Sequence, residues 1–132
     1  MDLKIPIPQQ TNLLAFSTSP PPCYLCSRPS TLRIVQPNNP NGNAGRPYFK
    51  CIPCDRFLVF ADARGNHATN PPCACGVPSK MQAASAWKGR VVHFVCRLGQ
   101  CRFYEVAENG LHRMIVVRSG VALWNLIQAG VL

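Results

Sequence analysis

Eight cysteines in a chain of 132 residues fall into two sets of four. The first set is Cys23, Cys26, Cys51 and Cys54, and the second is Cys73, Cys75, Cys96 and Cys101. Each set has two close thiols, an intervening segment, and two more close thiols. Units of roughly 40–50 residues bury too little apolar surface to fold unaided, so a staple is expected. Cysteine pairs on tight turns gather four sulfurs into a tetrahedron, the arrangement of a structural zinc site with no open position for activating water. A disulfide between Cys73 and Cys75 would be badly strained, and the reducing interior expected for this chain disfavours disulfides generally. An iron–sulfur cluster and a cross-braced arrangement, with the first and third pairs sharing one ion, are also compatible with the spacing. The expected cofactors are two structural Zn2+ ions, one for each half.

The halves also repeat around their cysteines. "PPCYLC" (21–26) matches "PPCACG" (71–76), "GRPYFKC" (45–51) matches "GRVVHFVC" (89–96), and "CDRFLVFAD" (54–62) matches "CRFYEVAE" (101–108). All thirteen prolines lie at or before Pro78, which confines the first 80 residues or so to turns and short extended runs. "RVVHFVC", "CRFYEV" and "HRMIVVR" read as short strands. After Ser119, a suitable N-cap, Leu123, Leu126 and Ile127 fall at helical spacing, and Gly130 is a stop signal. The fold class expected is a small metal-stabilised, mainly β protein: two tandem zinc ribbons with short antiparallel strands and a short C-terminal helix. Expected boundaries are a flexible arm at 1–21, a first ribbon at 22–62, a linker at 63–71, a second ribbon at 72–118 and a helical tail at 119–132.

Formal charge is +9, with +3 over residues 23–62 and +6 over 63–118. A field of that sign attracts polyanions, nucleic acid before membrane. Prolines 6 and 8 and the polar run 9–12 break up any secretory signal, and the apolar stretch after Gly120 is too short to span a bilayer. The protein is therefore expected to be intracellular, and nuclear. Paired acids, a nucleotide loop and a nucleophile motif are all missing from the sequence, so no enzymatic activity is expected.

The order of these motifs resembles the GRF-type zinc finger, a zinc ribbon appended to several DNA repair and topology enzymes. The resemblance rests on the cysteine pair, Gly-Arg before aromatics and a third cysteine, and a fourth cysteine before Phe, a bulky residue, Ala and an acid. "CRFYEVAE" follows the closing motif, with Val106 where the family usually has tryptophan; "CDRFLVFAD" carries one extra residue and puts Phe60 there. The first half keeps Asn43, Gly45, Arg46 and Pro47 ahead of Tyr48, Phe49, Lys50 and Cys51. The resemblance covers about 22–62 and 72–108 and implies binding of single-stranded nucleic acid.

Strand alternation sends Phe49 and Cys51 inward and places Arg46, Tyr48 and Lys50 on the opposite face. A ring between two cations suits an unpaired strand, the ring stacking on a base and the cations meeting phosphates. His93 holds the corresponding place in the second half, with Trp87, Lys88, Arg90, Arg97 and Arg102 nearby and Arg56 its counterpart in the first. Phe57 and Phe103 are expected in the core. The expected function is zinc-dependent binding of single-stranded DNA or RNA. The alternative is a protein-interaction adaptor whose apolar C-terminal segment docks onto a partner or a second copy.

Overall fold

A computed structural model describes residues 19–132; the arm expected at 1–21 lies outside the described residues up to residue 18. Two three-stranded antiparallel sheets follow one another along the chain. The first comprises β1 (Thr31–Ile34), β2 (Pro47–Cys51) and β3 (Arg56–Phe60), with β2 central. The second comprises β4 (Lys80–Ala83), β5 (Val92–Val95) and β6 (Tyr104–Val106), with β5 central. The expected mainly β architecture with two tandem ribbons and one C-terminal helix is what forms.

Alternation along β2 works as the pleat dictates: Phe49 and Cys51 are buried while Tyr48 and Lys50 are half-buried on the other face. Phe49 and Cys51 join Cys23, Leu58 and Val59 in the first core. In the second module, Val92 packs with Ala107, Val117, Leu123 and Leu132, so much of that core comes from beyond the last cysteine. The helix α1 (Gly120–Gln128) contributes Leu123, with Ala122, Leu126 and Ile127 packed against the cluster. Ser119 caps α1 as its sequence predicts, its hydroxyl oxygen accepting the Ala122 amide at 3.1 Å.

The run 112–118, expected as a strand, instead pairs through isolated bridges with residues just before β5 and just after β6. Val91 pairs with Val116 and Glu108 with Met114, and the amides of Val92 and Val117 bond to Ile115 and Arg90 carbonyls at 2.9 and 3.0 Å. Its exposed Met114, Ile115 and Val116 explain the β-type composition without a continuous ladder.

The two modules meet along a seam of loops and single side chains. Gly65, at φ +76°, approaches β4 so closely that a Cβ would stand 1.9 Å from the Met81 carbonyl oxygen, and its own carbonyl accepts the Met81 amide at 2.9 Å. Gly99, in the second module's cysteine turn, lies on Val59 of the first. Lys80, fully buried, reaches back to Asp62 with its Nζ 2.6 Å from the carbonyl and 3.1 Å from Oδ1. Segment 63–71, expected as a linker, is thus tied into both modules. The tail closes the same seam: Arg64 Nε donates to the Leu132 carbonyl at 3.4 Å, and the His67 ring lies 2.8 Å from the Val131 oxygen.

Candidate metal centres and nucleic-acid interface

Turn geometry brings the thiols together within each half. Cys23, Cys26, Cys51 and Cys54 form one cluster and Cys73, Cys75, Cys96 and Cys101 another, with all Sγ atoms of a cluster within 4.8 Å of one another. Four sulfurs about 2.3 Å from a central ion stand about 3.8 Å apart. The Cys26–Cys51 and Cys75–Cys96 separations of 3.5 and 3.9 Å bracket that value. Backbone amides of Leu25 and Cys75 point at the Cys23 and Cys73 sulfurs at 3.4 and 3.3 Å, as turns presenting thiolates require. All eight cysteines are free thiols. The clusters are sequential, which removes the cross-braced arrangement, and the donor sets fit two structural zinc ions.

Charge reinforces that assignment. Without a cation, amide hydrogen bonds bring Cys23 down to about 7, while hydrogen bonding shared with Cys26 and Cys51 pushes Cys54 up to about 12. Burial and the Cys96 thiolate drive Cys75 upward as well. Four thiolates so close together ionise jointly only around a divalent ion.

On the outer face of the first sheet, Tyr48 and Phe57 stack with ring centroids 5.6 Å apart and planes 28° from parallel. On the second, His93 and Tyr104 stack at 5.0 Å and 26°. These pairs are equivalent in register. Tyr48 and His93 each lie three residues before the third cysteine, while Phe57 opposes Lys50 and Tyr104 opposes Val95, one residue before that cysteine. A bulge between Phe49 and Lys50 absorbs the extra residue of the first half and brings Phe57 to the place that Tyr104 takes in the second. Phe57, expected in the core, is consequently 40% exposed, and Tyr104 is 59% exposed. Phe103, also expected in the core, is half-buried.

Two clefts meet at Phe57. One, of about 750 Å³, is lined by Arg33, Tyr48, Lys50, Phe57, Phe60 and the loop 34–43. The other, of about 460 Å³, lies between the modules and includes Tyr24, Arg56, Lys88, His93, Arg102 and Tyr104. Arg56 and Arg102, from different modules, both stand over the Tyr24 ring, at 5.4 and 5.6 Å from its centroid. Trp87 is 83% exposed on a short 3-10 turn (Ala86–Lys88), with Lys88 Nζ 5.1 Å from its ring centroid. Lys50 lies in the first cleft, paired with Asp55 at 2.7 Å. Arg90 is half-buried, its guanidinium beside Gly120 at the start of α1.

Three expected contact residues are placed otherwise. Arg46 is 6% exposed: Nε and Nη2 donate to the Asp62 carboxylate at 2.7 and 2.8 Å, Nη1 donates to Asn43 Oδ1 at 3.0 Å, and the guanidinium covers the Phe60 ring at 3.7 Å. Arg97 is fully buried and donates to the His67 and Ser79 carbonyls at 3.2 and 3.3 Å. Both guanidiniums hold the fold rather than face solvent. His93 is buried beneath Tyr104, and burial lowers its pKa so that a neutral ring lies there at pH 7. Tyr24, Arg33, Phe57 and Tyr104 join the face unforeseen; only for Tyr104, next to an aromatic and two residues after Arg102 in "CRFYEV", did the sequence carry a signal.

Residues 20–64 match the family model of the GRF-like zinc ribbon domain. Among solved structures, the crystal structure of human NEIL3 tandem zinc finger GRF domains aligns at 28% identity, covering 68% of this chain and 100% of that one, with a TM-score of 0.28. A comparison with curated proteins finds no match. The first module is thus similar to a GRF-like zinc ribbon, and the second repeats its sheet order and its four-thiol cluster.

Proposed function

We propose that this protein is a non-catalytic, zinc-stabilised binder of single-stranded nucleic acid, acting in the nucleus. The observation that carries this reading is the pair of register-equivalent stacked aromatics, Tyr48 with Phe57 and His93 with Tyr104. Aromatic side chains stack on bases of any sequence, and unpaired bases alone present their faces. Cations flank both pairs: Arg33 and Lys50 beside the first, Lys88 and Arg102 beside the second, with Arg56 between. Because Phe57 borders both clefts, one strand can pass from the first ribbon to the second without leaving basic and aromatic surface. Engagement at two linked sites raises affinity through effective concentration.

Titration of labelled single-stranded and duplex oligonucleotides with the zinc-loaded chain, at several salt concentrations, tests the proposal. Single strands are expected to bind more tightly, with log affinity falling linearly in log salt. Equal affinity for duplex would defeat it. A second reading, an adaptor docking through the C-terminal segment, draws on the exposed Val121 and Trp124 of α1; its binding would barely respond to salt.

A further inference from the structure

The cleft of the first ribbon has one wall of rings and another made by the loop 36–43, which carries several side-chain amides. Two of these amides are fixed in orientation by their partners. Asn39 Oδ1 accepts the backbone amide of Asn41 at 2.8 Å, and Asn43 Oδ1 accepts Arg46 Nη1 at 3.0 Å. A backbone N–H and a guanidinium are donors without exception, so the oxygen of each carboxamide must face its partner. The group that each turns away from its partner is therefore the Nδ2 amino group, a donor. Nearby backbone carbonyls are engaged: Val35 accepts the Gly45 amide, Gln36 that of Asn39 and Asn43 that of Arg46, at 3.0 to 3.1 Å. The Asp55 carboxylate is bridged to Lys50. On the loop wall of this cleft the Asn39 and Asn43 side chains thus turn N–H donors away from their partners, while the rings offer a stacking surface.

A base stacked on Tyr48 and Phe57, with sugar and phosphate left to solvent and to exposed Arg33, turns toward the loop the edge farthest from its sugar. There thymine and uracil carry the O4 carbonyl and guanine carries O6, whereas cytosine and adenine carry an amino group. An Nδ2 donor gains a hydrogen bond from the carbonyl and opposes the amino group. We infer that the first ribbon selects among bases, favouring thymine, uracil and guanine over cytosine and adenine through the Nδ2 groups of Asn39 and Asn43. This rests on the stacking role proposed above and adds a base preference to it.

Asn39→Asp and Asn43→Asp test it, because each keeps the oxygen that its structural partner needs and replaces only the remaining donor with an acceptor. Thymidine and cytidine homopolymers of one length are titrated against the full zinc-loaded chain by fluorescence anisotropy. The wild type should prefer thymidine by roughly threefold to tenfold for each hydrogen bond that discriminates. In the double variant that ratio should fall to one or below, while the zinc content and melting temperature remain. Added negative charge weakens both homopolymers alike, so the ratio reports base reading alone. Equal wild-type affinity for the two strands overturns the inference while leaving the stacking role intact, as does a preference unchanged in the variant. Failure to bind either strand would defeat the proposed function itself, and the inference with it.

Discussion

Arg46 closes on Asp62 through two nitrogen–oxygen contacts of 2.7 and 2.8 Å, joining the Gly-Arg turn of the first ribbon to the acid two residues beyond its last strand. The matching pair in the second half, Arg90 and Glu108, makes no such bridge: Glu108 is exposed, 3.8 Å from His112. The difference follows from what surrounds Asp62. Lys80 of the second module converges on the same carboxylate, so Asp62 serves as an ion-pair partner within its ribbon and between ribbons.

Asp62→Asn should therefore destabilise the whole described fold. It leaves the Arg46 and Lys80 charges buried without their counter-ion, and about 3 kcal/mol is expected. That is the low end for such a loss, because a fifth of the Asp62 side chain remains in solvent. Burial acts to raise the Asp62 pKa, but Arg46 and Lys80 overcome it and hold the carboxyl below its ordinary value. A depressed carboxyl pKa gives stability that is present above the unfolded-state pKa and lost as pH falls through the folded one. Urea unfolding of wild type and variant should differ most near neutrality and begin to converge as pH falls through about 4, the ordinary carboxyl value, toward the lower folded one; a constant difference would mean that the carboxylate charge is not what Asp62 contributes.

Phe57→Ala and Tyr104→Ala separate binding from folding. Each removes one exposed member of a stacked pair, and single-strand affinity should fall by about 1–3 kcal/mol for each ring. Thermal unfolding should move little, since surface substitutions away from caps and cores usually change stability by under about 0.5 kcal/mol. A melting temperature that falls in step with affinity would recast these rings as cover for the sheets.

Much of this arrangement was legible before any coordinates. Cysteine spacing marked both cages, the alternation of Tyr48, Phe49, Lys50 and Cys51 assigned each to its face, and Ser119 with Gly130 bounded the helix. Tertiary partnership was harder to read. Nothing local distinguishes Arg46 and Arg97, which are buried, from Arg56 and Arg102, which face a cleft; the distinction depends on Asp62 and on the carbonyls of His67 and Ser79, distant in sequence. Phe57 was misplaced for a different reason. Aligning "DRFLVF" on the repeat puts it opposite Phe103, whereas a bulge that leaves no trace in composition gives it the register of Tyr104.

Salt dependence should sort the cations in the same way. Replacing Lys88 and Arg102 by Gln removes two charges from the cleft between the ribbons, and the log-log slope for a single strand should become shallower by about 1.4. Arg97→Gln should instead lower stability with the slope of the folded fraction unchanged. If the Lys88 and Arg102 substitutions left the slope intact, phosphate would have to run elsewhere.

Lys80 gives the last prediction its sign. Its Nζ is buried beside Asp62, and burial outweighs that attraction, lowering the lysine to about 8 from an ordinary 10.5. Between those values the unfolded chain holds a proton that the folded chain has released, so stability rises with pH across that window. Lys80→Met replaces the ammonium with an apolar chain of similar length and removes this contribution to the rise. Near neutral pH the variant also strands part of the Asp62 charge, although Arg46 still holds both carboxylate oxygens. Chemical denaturation from pH 7.5 to 10, with zinc kept saturating, should show an upward slope in both proteins, because the unfolded chain's thiols hold protons that the zinc-bound thiolates lack, and a shallower slope in Lys80→Met. The same upward slope in the variant would assign the released proton to another group and remove Lys80 as the titrating link between the ribbons.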